Sequence, residues 1–293
     1  MSNQIMQGIG IKETLNIIAK SKDFFSPAKE GLMNALDAIK QHQDADASFI
    51  PKIKLSLYFL KSELCDEERG YDLQQITICD NGIGFCDENI DRLKHLGDRS
   101  KGLNNRGTGK IQMFHRFKNI GITSFHRSNE QYVKTEISYG LDDVYSENKK
   151  IIDEFVENST IVTMSDYHGD KNELRQWLDF KSDPDALKKE VIKHLFLRLY
   201  LEKETGITIK VEIFCDGTLN FERTISGEDI PDPEQTETVK VDTVKYNNGS
   251  WEFVKDNKLE VRRFKISADK ISGNAVYLCS KNILVKGYVT TNS

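Results

Sequence analysis

Residues 26–41 read Ser-Pro-Ala-Lys-Glu-Gly-Leu-Met-Asn-Ala-Leu-Asp-Ala-Ile-Lys-Gln, and residues 75–84 read Gln-Ile-Thr-Ile-Cys-Asp-Asn-Gly-Ile-Gly. In the first stretch, Ser26 before Pro27 is the pattern of an N-cap followed by proline at the first helical position, so a helix is expected over 27–41. Leu32, Leu36 and Ile39 recur at helical spacing and are expected to face a core. Glu30, Asn34 and Asp37, four and three residues apart, fall together on a second, polar face, with Ala38 beside them. Such a face is most simply a solvated one. It also joins a carboxylate able to act as a general base to an amide oxygen suited to Mg²⁺. The second stretch is an apolar strand closed by the turn residues Asp80-Asn81-Gly82. Its plain reading is a strand-ending turn. Its functional reading sets Asp80 as a fixed acceptor on a pocket floor, with Gly82 and Gly84 letting the chain pass close to a ligand.

Working outward, strands are expected at 55–60, 120–125, 132–138 and 160–165, and helices at 89–96 and 110–117. A second half is expected from about Asp170, with a helix over 184–203 and strands near 207–214, 219–224, 251–254, 261–266 and 275–279. The polar stretch 226–237 reads as a surface loop. The expected class is α/β, a two-layer α+β sandwich over 1–170 followed by a smaller α/β domain over 171–293.

Composition narrows the function. The chain has 293 residues, 38% hydrophobic and 30% charged, with 5 prolines, so disorder and low complexity are excluded. No apolar run approaches the roughly 18 residues of a membrane helix, and residues 1–10 lack the blocks of a signal peptide. The cysteines Cys65, Cys79, Cys86, Cys215 and Cys279 are odd in number and hold no CxxC pair, so a reducing, cytoplasmic setting is expected. Cys79 is expected as inert core, as are Trp177 and Trp251, and the 6 histidines show no metal-ligand spacing.

The net charge of −5 argues against a generally basic nucleic-acid binder. Eight Lys/Arg and the single acid Asp98 nevertheless fall within 92–118, so that stretch carries +7 and the rest of the chain −12. Nucleic acid would be met only through this stretch or through domains beyond the chain. Within it lie Gly97, Gly102, Gly107 and Gly109, and Arg106-Gly107-Thr108-Gly109-Lys110 leads straight into a helix. A glycine loop at a helix N-terminus is suited to phosphate. It is neither a Walker loop nor a Rossmann fingerprint.

Taken in order, these motifs resemble the ATP-binding domain of the GHKL superfamily, the group of gyrase B subunits, heat-shock chaperones, sensor histidine kinases, MutL-type repair proteins and MORC proteins. The resemblance covers about residues 24–166: ExxxNxxDA on a helix, DNGIG after a strand, a glycine-rich lid, and Asn158-Ser159-Thr160-Ile161-Val162 in the place of the family's GTxV strand. Two departures stand out, Ser159 where glycine is usual and Asn104-Asn105 in the lid. The resemblance implies the Bergerat ATP-binding fold, with ATP and Mg²⁺ as cofactors. Glu30 would be the catalytic general base and Asn34 the magnesium ligand. Asp37 and Ala38 complete the helix motif. Asp80 would hold adenine, with Thr160 helping through water, and Gly82 and Gly84 would line the base. Ser100, Lys101, Arg106, Gly107, Thr108, Gly109 and Lys110 would form the lid around phosphate.

Histidine kinases usually carry asparagine where Glu30 stands, and only about 25 residues precede the domain. The hydrolysing branch is therefore the expected one, and the chain looks most like MORC-type, MutL-like and related bacterial ATP-binding proteins. Residues 207–217 and Tyr277-Leu278-Cys279-Ser280-Lys281-Asn282 are similar to parts of the transducer domain of MutL-like proteins, the ribosomal S5 domain 2-like fold. In those relatives a later transducer lysine reaches the γ-phosphate. The chain stops at Ser293, before that lysine is expected, which points to a fragment of a longer protein. The expected function is a slow Mg²⁺-dependent ATPase acting as a conformational switch, with nucleotide-dependent homodimerisation. The competing readings are a binding module that holds ATP without hydrolysis, and a histidine-kinase-like phosphotransferase.

Overall fold

The computed structural model describes residues 11–46, 48–62, 70–94, 109–128, 130–142, 145–247, 250–265, 275–280 and 283–289. Helices α1 (Ile11–Ile17) and α2 (Ser26–Ala45) precede strands β1 (Lys52–Lys61) and β2 (Tyr71–Asp80). Two short helices follow, α3 (Asp87–Lys94) and α4 (Gly109–Phe114), and then strands β3 (Phe117–Ser128), β4 (Gln131–Gly140), β5 (Tyr145–Ile152) and β6 (Ser159–Tyr167). Helices α5 (Lys171–Ser182) and α6 (Pro184–Leu201) lead to β7 (Thr208–Cys215) and β8 (Thr218–Ile225). The chain continues through β9 (Gln235–Asn247), β10 (Ser250–Arg263), β11 (Ala275–Ser280) and β12 (Ile283–Val289). Among the described residues no helix is long and apolar enough to cross a membrane.

The class is α/β. Eight strands form one mixed sheet in the order β5-β4-β3-β6-β2-β1-β7-β8. Every neighbouring pair is antiparallel except β1 with β7, which run parallel across the α5–α6 connection. Helix α2 lies on β1 and β2, α4 on β3, α5 on β2, and α6 on β7 and β8. These helices also touch one another, α2 with α4 and α6, and α5 with α6, so they cover the sheet as one layer. The core lies between the layers. Ile53, Leu55, Leu57 and Phe59 point from β1 to Leu32, Leu36 and Ile39 on the apolar stripe of α2, all buried.

The sheet runs across residue 170, where the sequence suggested a boundary. Helices α5 and α6 and strands β7 and β8 build onto β1, leaving β9–β10 and β11–β12 as separate two-stranded sheets. The strands expected at 251–254 and 261–266 are one strand, β10, with a bulge between Val254 and Asn257.

Asp170 caps α5 by accepting from the N–H groups of Asn172 and Glu173, and Asp183 caps α6 before Pro184. The start of α2 differs from expectation. Phe25 occupies the N-cap position, and Ser26 is the first helical residue. The Ser26 hydroxyl instead accepts from Arg116 Nη1 at 3.1 Å. Arg116 is fully buried, and its guanidinium also donates to both carboxylate oxygens of Glu173, at 3.2 and 2.6 Å, and to the carbonyls of Ser21 and Asp23. One member of the basic 92–118 stretch is therefore a structural ion pair that fixes the start of α2 to α5. Trp177, fully buried as expected, packs there with Phe24, Phe25 and Phe180. The side chain of Trp251 lies outside the described residues. Cys79, expected in the core, is half-buried because strand alternation turns it to the sheet face opposite Ile78 and Asp80. His194, stacked on Phe25, packs with Nε2 2.9 Å from Glu190 Oε1 and Nδ1 3.6 Å from Asp23 Oδ2.

Candidate functional site

The site begins as a row across the sheet. Asp80 on β2 is in register with Thr160 on β6, Thr160 with Ser124 on β3, and Ser124 with Thr135 on β4. Residues opposite one another in antiparallel strands share a face, so four polar side chains cross the helix-covered side of the sheet in one line. All are buried, Asp80 and Thr160 at 5% exposure and Ser124 and Thr135 at 0%. A buried polar row among isoleucines carries a desolvation cost unless its groups find partners. Asp80 accepts one hydrogen bond, from the Gly82 N–H at 2.9 Å. Burial pushes its carboxyl up to about 7, against the lowering effect of that bond.

The turn after β2 is fastened on two sides. Asn81 accepts from the Lys52 N–H at 2.8 Å through Oδ1 and donates to the Ile50 carbonyl at 2.9 Å through Nδ2, tying the turn to the start of β1. The Ile83 N–H donates to the Ala38 carbonyl at 3.1 Å, and the Asn81 carbonyl lies 3.1 Å from His42 Nδ1. Gly84 has φ +83°, and a Cβ there would meet His126 Cβ at 2.6 Å and the Phe125 carbonyl oxygen at 2.9 Å. The chain crosses from α2 to β3 at that point with no room for a side chain.

Helix α2 brings Glu30, Asn34 and Asp37 to this turn, but not into one group. Glu30 is half-buried, and a Cβ on Gly109 would lie 2.3 Å from its Oε2, so the first residue of α4 sits directly on the carboxylate. Burial raises the Glu30 pKa, opposed by Lys29 and reinforced by Asp37. Asn34 is exposed. Asp37 accepts from Arg198 on α6 at 3.1 Å and so serves to dock α6 onto α2. Ala38 meets the turn through its carbonyl and its methyl group.

Of the lid residues, Ser100, Lys101, Arg106, Gly107 and Thr108 lie outside the described residues. Gly109 and Lys110 open α4, one residue earlier than the sequence indicated. Lys110 Nζ donates to the Leu93 carbonyl at the end of α3 and lies 5.9 Å from the Tyr139 ring centre. Burial pulls its pKa down to about 8, and among the described residues no carboxylate pairs with it.

No protein-family model matches the chain, and no curated protein matches it. A solved structure described as the crystal structure of the N-terminal domain of a DNA repair protein is similar over 83% of this chain and 67% of that one, at 13% identity and a TM-score of 0.43. That likeness is too slight to bear on fold or function.

Two members of the site escaped the motif reading, Ser124 and Thr135. Each is one small polar residue in an alternating strand, and only the register reveals it, β3 with β6 for Ser124 and β4 with β3 for Thr135. Chemically, the row offers buried oxygen acceptors at Asp80 and Thr160. Along α2 from there stand the exposed amide of Asn34 and the carboxylate of Glu30, beside the first residue of α4.

Proposed function

We propose that this chain is a GHKL-type protein that binds ATP and Mg²⁺ in a Bergerat-type site and hydrolyses ATP slowly, as a nucleotide-driven switch. The observation that carries this reading is the docking of the Asp80–Gly84 turn onto α2 at Ala38, with Asp80 in register with Thr160. Stretches far apart in sequence thereby meet in the order a nucleotide needs: acceptors for a base amine at Asp80 and Thr160, oxygen ligands on α2, and the start of α4 against Glu30. Asp80 takes the exocyclic amine of adenine. Glu30, its pKa raised by burial, is the base that accepts a proton from the attacking water.

Asn34 fits a magnesium ligand, since its exposed amide offers a hard oxygen one helical turn from Glu30. When bound, magnesium neutralises phosphate charge. Ser100, Lys101, Arg106, Gly107 and Thr108 act in this reading as the lid over the phosphates, and closure favours dimerisation.

Titration calorimetry with a non-hydrolysable ATP analogue tests the proposal. Binding is expected to weaken strongly in EDTA, and Asn34→Ala is expected to abolish the magnesium effect. A chain that binds no ATP, or binds it equally with and without metal while Asn34→Ala changes nothing, would defeat the reading.

A further inference from the structure

Ser124 makes three contacts that together fix where its proton lies. The Phe85 N–H donates to Ser124 Oγ at 2.8 Å, Ser124 Oγ donates to the Ser159 carbonyl at 3.0 Å, and Thr160 Oγ1 lies 3.2 Å away. A hydroxyl has one proton and two lone pairs. With the proton given to Ser159 and one lone pair taken by Phe85, the remaining contact closes only if Thr160 donates. The hydroxyl of Thr135, the cross-strand neighbour of Ser124 on its other side, has no hydrogen-bond partner among the described residues and leaves this arrangement undisturbed. The Thr160 proton thus points away from Asp80, and Thr160 offers only lone pairs beside the Asp80 carboxylate.

We infer that Ser124 is a positioning residue for base selection: by holding the Thr160 hydroxyl as an acceptor beside an ionised Asp80, it makes the pocket floor accept hydrogens only, and so favours a 6-aminopurine over a 6-oxopurine. This rests on the reading of Asp80 and Thr160 as the base-contacting residues. In this inference Thr160 meets the amino group directly rather than through water, so the amino group brings two hydrogens to two acceptors. A 6-oxo group at the same place sets its lone pairs against those of Asp80 and Thr160, and buried unpaired acceptors are what makes such discrimination steep. Without the Ser124 hydroxyl, the Thr160 hydroxyl is free to turn and donate to the oxo group.

The test compares, at pH 8 where Asp80 is ionised, the affinities of ATP and ITP analogues in the wild type, Ser124→Ala, Thr160→Val and the double variant. The wild type is expected to prefer ATP, and Ser124→Ala to reduce that preference about tenfold, the factor that one hydrogen bond supplies. Thr160→Val, which keeps the side-chain shape, is expected to reduce it by a similar factor and carries the test if Ser124→Ala does not fold. In the Thr160→Val background, Ser124→Ala is expected to leave the preference unchanged. A merely structural role for Ser124, through the Phe85 turn, would weaken both nucleotides equally and leave the ratio alone. An unchanged ratio in a folded Ser124→Ala, or in Thr160→Val, with ATP still bound, would overturn this inference and keep the ATP-binding reading. A wild type that binds neither nucleotide would overturn both.

Discussion

The backbone of Gly82 lies against that of Ala38: a Cβ on Gly82 would be 2.6 Å from the Ala38 carbonyl carbon and 2.8 Å from both Ala38 Cβ and the Ile39 nitrogen. Those distances involve backbone, which cannot rotate aside. The turn that carries Asp80 and the helix that carries Glu30 are in contact because position 82 has no side chain.

Gly82→Ala should therefore push the turn off α2. The expected cost is about 1–3 kcal/mol, the range of an overpacked core, read as a lower midpoint in urea unfolding. ATP-analogue affinity should fall with it, because Asp80 and Glu30 lose their fixed separation. A Gly82→Ala variant as stable and as tight-binding as the wild type would show that the contact does not hold the site together.

Asp80→Asn should act in opposite directions on stability and on binding. The buried carboxyl holds its proton up to about pH 7, far above its ordinary value near 3.8. A raised folded-state pKa gives stability that is fully present below about pH 4 and lost as pH rises through 7. The amide has no such ionisation, so without nucleotide Asp80→Asn should be the more stable protein at pH 8, by up to about 4 kcal/mol, with the gap closing only below about pH 4. Its ATP affinity at pH 8 should be weaker, by about 1.5–3 kcal/mol for the lost charged acceptor. Thermal melts across pH with calorimetry at pH 8 check both signs. A variant less stable than the wild type at pH 8 would contradict the assignment.

Glu30→Gln should keep nucleotide binding and lower hydrolysis by about 10²–10⁴-fold, the usual contribution of a general base. Phosphate release under single-turnover conditions, set beside an unchanged dissociation constant, is the measurement. Equal rates in the two proteins would remove Glu30 from the chemistry.

Arg116→Met should be severely destabilising although Arg116 belongs to the basic stretch 92–118. It leaves the Glu173 carboxylate buried without its bidentate partner, a loss of about 3–5 kcal/mol, while Lys20, 2.8 Å from Glu173, recovers only part of it. Replacing Glu173 by Met as well should restore some of the stability. A fully stable Arg116→Met protein in guanidinium unfolding would show that the pair is not holding α2 to α5.

The amino-acid sequence by itself determined what depends on short-range spacing. Helical periodicity placed Glu30 and Asn34 along α2 and Leu32, Leu36 and Ile39 under it. Strand alternation ending in Asp80-Asn81-Gly82 placed Asp80 at the end of β2, and proline after Ser26 marked the start of α2 to within a residue. Tertiary structure alone decided which strands lie side by side. The parallel pairing of β7 with β1 carried the sheet past residue 170, and the register of β2, β6 and β3 brought Ser124 to Thr160 and Thr160 to Asp80. It also turned Arg116, from the basic stretch read as meeting phosphate, inward to Glu173, and paired Asp37 of the helix motif with Arg198. The physical reason is that a strand's alternation records only which side chains share a face. Which neighbour stands opposite each of them is set by hydrogen bonds between residues tens of positions apart, and those leave no local trace.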